Sequence, residues 1–437
     1  MKKYVVGGYI RDLLMYRKPN DKDFVVVGAT PEDMIKEGFK QVGKEFPVFL
    51  DKYGNEYALA RTERKTGNKH TDFEFVFTPD TTLEEDIFRR DITINGLAIE
   101  ADKLEEIESG VNLNHDIIDY VGGLDDLYNH IIRAIRPETF VEDNLRILRV
   151  YRFQAQLSTK GCEFTVDKTT EDLCSQMVKD GMLGYLTPER IWKEIEKALD
   201  ANSRSELFFK GLHKIGALKV ILPEIDKLFN TPEKPEYHPS GNTGEHTMIC
   251  LQRSKWLSSK CKFAVLFHDV AKGTTPPEIL PAHHDHDIRG LSLIDEVCDR
   301  LKIPNDYRNF AKLFCKVHMR LAKLPNMNLK KQYDMVAEIS NGFKDKKQME
   351  DILSCFYCDF FGEDERVMTK EEESIYDKTV ILCQQIYSIM EGIGVKHLPI
   401  EYQESLTKFK GEKFGQILRE YKIRYLRSKL NEEIIDW

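Results

Sequence analysis

The feature that most constrains the fold is a change of pattern near residue 138. Before it, short apolar runs such as YVVGG, DFVVVG, EYALAR and DFEFVF are separated by turn residues, which predicts strands mixed with short helices. After it, VEDNLRILRVYRFQAQL and TPERIWKEIEKALD carry apolar residues at helical spacing. Strands first and helices afterwards predict an α+β chain, with a mixed N-terminal domain followed by helical ones.

Two further signals refine this division. TPEDMIKEGF predicts a helix capped by Thr30, with Pro31 at its first position. A stretch rich in proline, glycine, asparagine and threonine at 230–246 is typical of a boundary. We therefore predict a head at 1–137, a helical neck and body at 138–230, a histidine-rich domain at 231–340 and a helical C-terminal region at 341–437.

Composition excludes several classes of protein. Apolar residues make up 41% and charged residues 31% of the chain, and no stretch approaches the roughly 18–20 apolar residues of a membrane span. The segment MKKYVVGGYIRD reaches Arg11 and Asp12 too soon for a signal peptide. Nine irregularly spaced cysteines indicate reduced thiols and a cytoplasmic location. The net charge of −9 means that nucleic-acid binding requires local basic patches.

Two aspartates stand at the start of an apolar run. In NDKDFVVVG, Asp21 and Asp23 flank a lysine, and strand side chains two positions apart point to the same face. Like charges that close repel each other unless a cation lies between them. The pair fits either a solvated turn or a site for a divalent metal, and the accompanying motifs decide between the two.

The segment GGYIRD at 7–12 precedes the aspartates. Paired glycines after a short strand let the backbone approach a phosphate, and the guanidinium of Arg11 suits the same anion. A tight turn alone would also explain the glycines. A phosphate cradle beside two carboxylates is nevertheless the apparatus of nucleotidyl transfer, in which Mg²⁺ ions bridge the aspartates and a triphosphate.

A third group of polar residues lies on a predicted helix. In VEDNLRILRVYRF, Asp143, Arg146, Arg149 and Arg152 follow one another in steps of three, which aligns them along one side of a helix. A surface ladder of ion pairs is the plain interpretation. Beside a triphosphate site, however, an aspartate and an arginine can pair with the polar edges of a base.

GGYIRD, DKD, RRDITINGLA, the glycine pair at 122–123 and EDNLRILRVYRF, in this order, resemble the class II tRNA nucleotidyltransferases, the CCA-adding enzymes. The resemblance runs from residue 1 into the 300s and is closest to the enterobacterial type, which carries an HD phosphohydrolase domain. It implies a polymerase-β-like head, a mostly helical neck and body, and the addition of C, C and A to the 3′ end of tRNA from CTP and ATP.

The resemblance also implies roles for individual residues. Asp21 and Asp23 would bind Mg²⁺ and carry catalysis, while Asp143 and Arg146 would select the base. Nucleotide binding would further involve Gly8, Arg11, Arg90, Asn95, Arg149 and Arg152. A third catalytic carboxylate is left open between Glu63 in ARTERK and Glu74 in DFEF.

Six of the twelve histidines fall between residues 246 and 318. His268-Asp269 follows an apolar run, and HHDHD follows at 283–287. Isolated histidines are commonly structural, but this density with an HD pair indicates a metal site, and imidazole with carboxylate suits Ni²⁺, Mn²⁺, Fe²⁺ or Zn²⁺. The pattern resembles the HD phosphohydrolases, which implies activity on a 2′,3′-cyclic phosphate, a 2′-nucleotide or another phosphate ester. His268 and Asp269 are the firm ligand predictions, and the remaining candidates are His246, His284 or His286, and His318.

The C-terminal stretch KFKGEKFGQILREYKIRYLRSK carries eight basic residues against two glutamates and predicts an amphipathic helix. Its basic side is either a solvated face or a contact for tRNA phosphates.

The sequence leaves open a poly(A) polymerase, an enzyme adding only CC or A, and a non-catalytic RNA-binding protein. It also leaves open whether the chain acts as a monomer or a homodimer.

Overall fold

The computed structural model describes residues 1–19, 22–42, 48–65, 73–76, 78–109, 116–233, 241–362 and 369–435. The chain divides into two compact units. The first comprises Met1–Ala198 and Ser203–Ile221, and the second comprises Leu199–Asn202 and Leu222–Trp437. The four-region division stays a prediction. Among the described residues, no helix combines the length and apolar character needed to cross a membrane.

The first unit contains the strands. They are β1 (Lys2–Val6), β2 (Asp23–Val27), β3 (Lys40–Val42), β4 (Val48–Leu50), β5 (Glu56–Leu59), β6 (Thr62–Lys65), β7 (Phe73–Val76), β8 (Ala98–Glu100), β9 (Ile131–Ile132) and β10 (Thr165–Val166). The main sheet has the order β3-β4-β5-β2-β1-β8 and is mixed, because β2 runs parallel to β5 and antiparallel to β1. Strands β6 and β7 form a separate antiparallel pair, and β9 and β10 a parallel one.

Short helices accompany this sheet. They are α1 (Gly8–Leu14), α2 (Pro31–Lys36), α3 (Leu83–Phe88), α4 (Leu104–Glu108), α5 (Gly123–Tyr128) and α6 (Pro137–Phe140). The predicted start of α2 is confirmed, since the Thr30 hydroxyl accepts from the Asp33 amide and Pro31 opens the helix. The β-branched runs form the centre of the sheet, where Val6 and Val25 pack in one buried cluster with Ile87.

The remainder of the first unit is helical. Its helices are α7 (Arg146–Leu157), α8 (Lys168–Lys179), α9 (Pro188–Ala198), α10 (Ser205–Lys214) and α11 (Leu218–Ile221). The helices predicted for VEDNLRILRVYRFQAQL and TPERIWKEIEKALD are confirmed as α7 and α9, which pack together. Helix α7 also packs on α10 so closely that a Cβ at Gly211 would lie 2.2 Å from the Tyr151 ring.

The second unit is built from helices. They are α12 (Pro223–Asp226), α13 (Thr243–Arg253), α14 (Ser259–Phe267), α15 (His286–Leu301), α16 (Asn305–Leu321), α17 (Leu329–Ile339), α18 (Lys346–Phe360), α19 (Lys370–Met390), α20 (Ile400–Leu406) and α21 (Gly411–Ile435). Helix α14 is buried from Cys261 to Phe267 and packs against α13, α16 and α18, which makes it the core helix of this unit. Cys355 and Cys358 are buried in α18.

Candidate active-site cleft and candidate metal centre

A cleft of about 500 Å³ opens in the first unit beside the turn from β1 to α1. Gly7 makes this turn, and its φ of 79° is a backbone conformation that favours glycine. A side chain at this position would also be crowded, because its Cβ would lie 3.2 Å from Arg90 Nη1. Gly8 follows as the first residue of α1 and also lines the cleft. Asp23 begins β2 opposite Val6, is exposed, and lines the same cleft. The strand–turn–helix that the sequence predicts therefore stands beside one of the two predicted metal-binding aspartates.

The cleft is strongly cationic. Its walls carry seven arginines against the three aspartates Asp23, Asp91 and Asp143. Desolvated guanidinium groups in a concave site suit a polyanion such as a triphosphate, which they can bind bidentately. The seven are Arg11, Arg89, Arg90, Arg146, Arg149, Arg152 and Arg190.

Asp91 organises one wall of the cleft. Its carboxylate accepts from Arg149 Nε at 2.7 Å, from the Ile92 amide at 2.9 Å and from Asn95 Nδ2 at 3.2 Å. Burial by itself would raise the pKa of Asp91, but Arg149 and Arg146 hold it well below its usual value. Asp91 is therefore a permanent anion that fixes Arg149 and Asn95, a role that sequence analysis did not assign although the RRD motif contains it.

Further hydrogen bonds fix the other predicted nucleotide-binding residues. Arg11 Nη1 donates to Asn95 Oδ1 at 2.6 Å, which joins α1 to the segment after Asp91. Arg90 Nη2 donates to the buried carboxylate of Asp86 at 3.0 Å. Arg152 pairs through Nε with Glu194 at 2.5 Å and is itself buried. These side chains reach the cleft in fixed orientations, which lowers the conformational entropy lost when an anion binds.

The predicted base-reading residues differ from expectation in two ways. Asp143 is not on the helix, because α7 begins at Arg146 and Asp143 lies in the turn before it. It also pairs with Arg190 rather than Arg146, since Arg190 Nη2 lies 3.1 Å from both carboxylate oxygens. Arg146 donates instead to the main-chain carbonyls of Thr139 and Arg89. Arg190 was missed because its signal, an arginine in the first turn of an amphipathic helix, is common.

For several residues that the sequence predicts to be functional, the structure gives no position in the cleft. Asp21 lies outside the described residues, and so do the side chains of Glu63 and Glu74, whose backbones belong to β6 and β7. In the glycine pair at 122–123, Gly123 serves packing, because a Cβ there would lie 2.3 Å from the Thr93 carbonyl oxygen.

A second group of polar residues is buried in the second unit. Among the described residues, two sets of side chains could each hold a metal ion, and within each set the candidate ligand atoms lie within 4.8 Å of one another. The first set is His246, Cys250, His268 and Asp359, and the second is Asp269, His286 and His318. Asp269 connects them, since one carboxylate oxygen lies 3.1 Å from His268 Nε2 and the other 3.1 Å from His286 Nε2.

The protonation pattern of these histidines suits metal binding. Nδ1 of His268, His286 and His318 lies 2.7–2.8 Å from the carbonyl oxygens of Val265, His283 and Cys315, respectively. A carbonyl only accepts, so each Nδ1 carries a hydrogen, and each Nε2 is the nitrogen that can bind a metal. The Nε2 atoms of His286 and His318 face each other at 3.2 Å. Two lone pairs at that distance repel unless a cation or a proton lies between them.

Two buried atoms of this cluster lack a hydrogen bond. They are Nε2 of His268 and Oδ1 of Asp269. His268 Nε2 lies 3.1 Å from Asp269 Oδ2, and Asp269 Oδ1 lies 3.1 Å from His286 Nε2, but neither contact has hydrogen-bond geometry. A bound cation would satisfy both atoms. Burial alone would raise the pKa of Asp269, but His268 and Lys272 hold it well below its usual value. Lys272 Nζ lies 2.9 Å from Asp269 and 2.8 Å from Glu233, so it anchors the carboxylate from the far side. The donor set therefore fits a divalent transition metal.

One predicted ligand lies apart and one was missed. His284 is exposed and belongs to neither set, because it precedes α15 on the outside of a turn, whereas His286 opens that helix facing inwards. Asp359 was not predicted. Its oxygen Oδ1 lies 3.3 Å from Nε2 of both His246 and His268. The available signal was a lone carboxylate within the apolar helical run CFYCDFF.

Comparison with known proteins gives two kinds of match. Residues 3–133 match the family model of the poly A polymerase head domain, and residues 163–229 match that of the "Probable RNA and SrmB- binding site of polymerase A". The solved structure of a CCA-adding enzyme in apo form II has a TM-score of 0.62 and 22% identity, with 100% of this chain and 91% of that chain covered.

Two liganded structures are also similar. A CCA-adding enzyme in complex with ATP has a TM-score of 0.58 at 20% identity, covering 97% of this chain and 86% of that one. The Thermotoga maritima CCA-adding enzyme complexed with tRNA_CCA has a TM-score of 0.58 at 21% identity, covering 97% and 87%. The α+β fold predicted from the sequence is confirmed: this chain has a head with a mixed sheet followed by helices, a fold similar to that of the CCA-adding enzyme structures.

Proposed function

We propose that this protein is a nucleotidyltransferase that adds C, C and A to the 3′ end of tRNA, using CTP and ATP without a nucleic-acid template. The observation that carries the proposal is the cleft itself, in which seven arginines surround a strand–turn–helix and an exposed aspartate. That combination suits a triphosphate and its counter-ions better than a neutral or cationic substrate.

The residues of the cleft divide the work. Arg11, Arg90 and Arg149 bind the phosphates, and Asn95 keeps Arg11 in place through a hydrogen bond of 2.6 Å. Asp23, with Asp21 two residues before it, holds Mg²⁺. When bound, that ion neutralises triphosphate charge and makes the attacking 3′-hydroxyl more acidic. Glycine at position 7 keeps the backbone close to Arg90, where a side chain would intrude.

Base selection is assigned to the opposite wall. Asp143 accepts from an exocyclic amino group, which cytosine and adenine both have, and Arg190 holds its carboxylate in place through contacts of 3.1 Å. Arg146, fixed by two main-chain carbonyls, completes the edge that the base meets. Arg152, buried against Glu194, supports α7 from behind.

The similar structures support tRNA, CTP and ATP as the partners, because those proteins include complexes with ATP, with CTP and with tRNA. The head-domain match also fits a poly(A) polymerase. We favour CCA addition because the similarity to CCA-adding structures extends over the whole chain. The irregularly spaced cysteines fit a cytoplasmic location.

One assay distinguishes these activities. The full chain is incubated with tRNA lacking its 3′ end, labelled CTP or ATP and Mg²⁺, and products are resolved at single nucleotides. Three additions in the order C, C, A are expected. Open-ended addition of A identifies a poly(A) polymerase, addition of only CC or only A identifies a partial enzyme, and tRNA binding without extension identifies a binding protein.

We also propose a second activity, metal-dependent hydrolysis of a phosphate ester at the histidine cluster. The observation that favours it is the convergence of four imidazoles and two carboxylates, with His268 Nε2 and Asp269 Oδ1 left without hydrogen bonds. Ni²⁺ or another divalent transition metal would be held by His246, His268, Asp359 and Asp269, with His286 and His318 around the second Asp269 oxygen. Bound there, it would supply Lewis-acid polarisation of the ester.

Metal-depleted protein provides the test. Hydrolysis of a 2′,3′-cyclic nucleotide and of a 2′-nucleotide is measured after stepwise addition of Ni²⁺, Mn²⁺, Zn²⁺ or Co²⁺. Activity that rises with stoichiometric metal in the parent protein and is absent in Asp359→Ala is expected. Bound metal without hydrolysis of any phosphate ester would contradict the enzymatic role while leaving the metal site intact.

A further inference from the structure

Cys250 faces the first set of metal-binding atoms. It lies four residues after His246 on α13, so both side chains emerge on the same side of the helix. Cys250 is fully buried, and its Sγ lies 3.5 Å from His246 Nε2. An imidazole, a thiol and a carboxylate therefore approach one point from helices α13 and α18.

The separations among these atoms match those of ligands around one ion. Bonds of about 2.0–2.3 Å in a tetrahedral zinc-type site place neighbouring donor atoms about 3.3–3.8 Å apart. Asp359 Oδ1 lies 3.3 Å from Nε2 of His246 and 3.3 Å from Nε2 of His268. The contact of 3.5 Å between Cys250 Sγ and His246 Nε2 falls in the same interval.

A thiol–imidazole hydrogen bond inside one helix is the simpler interpretation of the Cys250–His246 contact. It does not account for His268, whose Nε2 is buried and lacks a hydrogen bond although it lies 3.3 Å from Asp359 Oδ1. A single cation satisfies the His268 nitrogen, the His246 nitrogen and the Asp359 oxygen together. Cys250 Sγ lies within 4.8 Å of each of those atoms.

The close packing around the sulfur restricts it to this position. A Cβ at Gly362 would lie 2.5 Å from Cys250 Sγ and 3.0 Å from His246 Cε1. Glycine at this position therefore leaves the space in which the sulfur and the ring sit side by side. Any larger residue would push Sγ or the imidazole out of line with Asp359.

We propose that Cys250 is a metal ligand, coordinating through its thiolate together with His246, His268 and Asp359. The thiol proton passes to solvent as the metal–sulfur bond forms. A soft sulfur donor beside two imidazoles selects a thiolate-binding ion such as Zn²⁺, Fe²⁺ or Co²⁺ over Mg²⁺ and Mn²⁺. This inference rests on the metal site proposed above for phosphate-ester hydrolysis, and it specifies the class of metal that the site binds.

Cobalt supplies a readout that is independent of activity. The metal-depleted full chain is titrated with Co²⁺, and the near-ultraviolet thiolate-to-cobalt charge-transfer band is recorded. The parent protein should show this band at one equivalent. Cys250→Ser should lose the band and bind Co²⁺ at least about tenfold more weakly. Cys358→Ser is the matched control, since Cys358 is buried beside Asp359 but belongs to neither set, and it should keep the band.

The possible outcomes distinguish the role of Cys250 from the existence of the metal site itself. Bound Co²⁺ without a thiolate band in the parent, or a band that persists in Cys250→Ser, overturns the role of Cys250 and leaves the metal site standing. Failure to bind Co²⁺ at all overturns both. If Cys250→Ser does not fold, X-ray absorption of the zinc-loaded parent decides: one sulfur at about 2.3 Å supports the proposal, and a shell of nitrogen and oxygen alone overturns it.

Discussion

The arginine-rich cleft of the first unit and the histidine cluster of the second are opposite kinds of polar site. The cleft is open, and its fixed charge is mostly positive, with seven arginines against three aspartates. The cluster is buried, and its imidazoles converge on two carboxylates whose pKa values lie well below the usual range. The charge of the first arrangement suits an anion, and that of the second suits a cation. Each site therefore indicates its ligand by the charge that would balance it.

The two sites also differ in how they are held together. In the cleft, arginines are fixed by carboxylates of the protein, such as Asp86 for Arg89 and Arg90, and Asp91 for Arg149. In the cluster, the histidines are fixed by main-chain carbonyls, and their second nitrogens converge on one another. The cleft should therefore keep its shape without a ligand, whereas the cluster should gain stability when a metal binds.

The largest effect is expected from Asp23→Ala. Loss of a metal-binding carboxylate removes several kcal/mol of transition-state stabilisation, so addition of both CTP and ATP should fall about 10³-fold. Binding of tRNA and of Co²⁺ to the histidine cluster should be unchanged. Asp172→Ala, which removes a surface ion pair with Lys168, is the control and should retain activity. Near-parental turnover by Asp23→Ala would remove this aspartate from the mechanism.

Arg149→Met tests the idea that protein carboxylates hold the cleft in shape. It would leave the buried Asp91 without its closest cation, and we expect the free energy of unfolding to fall by about 3 kcal/mol. Urea unfolding measures the change. Asp91→Asn with Arg149→Met should recover part of the loss, because no buried charge then remains. Equal stability of the parent protein and Arg149→Met would mean that the pair does not organise the cleft.

Asp143→Asn tests whether the two walls of the cleft have different roles, one binding phosphate and the other contacting the base. Discrimination of CTP over UTP and of ATP over GTP should weaken by about 1–3 kcal/mol, roughly 10–100-fold, with a smaller loss of overall rate. Lys193→Gln, exposed on the same helix as Arg190, is the control. A uniform loss of rate with unchanged nucleotide preference would assign Asp143 a structural role.

The smallest effect concerns α21, which has the basic face predicted for tRNA contact. Replacing the exposed Arg424 and Arg427 by glutamine should weaken tRNA binding a few-fold and reduce the slope of log K against log salt by about one to two. Arg419 pairs with Asp334 and provides the control, since Arg419→Gln should change the slope less. An unchanged slope in the double variant would make α21 a solvated face.

The features that could be predicted from the sequence are those that depend on local sequence patterns. The strand run at Val25, the Thr30 cap and the helical spacing in α7 and α9 depend on neighbouring residues, and the structure confirms them. Pairings between distant segments were not predictable in this way. Asp143 meets Arg190, and His246 meets Asp359, only because helices far apart in the chain pack together.

Two details illustrate why the rest could not be predicted. A step of three residues suggested that Asp143 continues α7, but the helix begins at Arg146, and helix boundaries are weakly encoded. His284 and His286 look equivalent in HHDHD. Their different burial depends on Asp285, whose left-handed φ of 52° turns the chain into α15.

The central claim is that the two sites bind ligands of opposite charge and act independently. The most direct measurement is single-nucleotide-resolved extension of tRNA lacking its 3′ end by His268→Ala/Asp269→Ala, with metal content and a thermal melt recorded on the same preparation. The account predicts that the folded variant loses its transition metal and phosphate-ester hydrolysis but still adds C, C and A at the parental rate. Loss of nucleotide addition together with the metal, in a variant that remains folded, would contradict the claim.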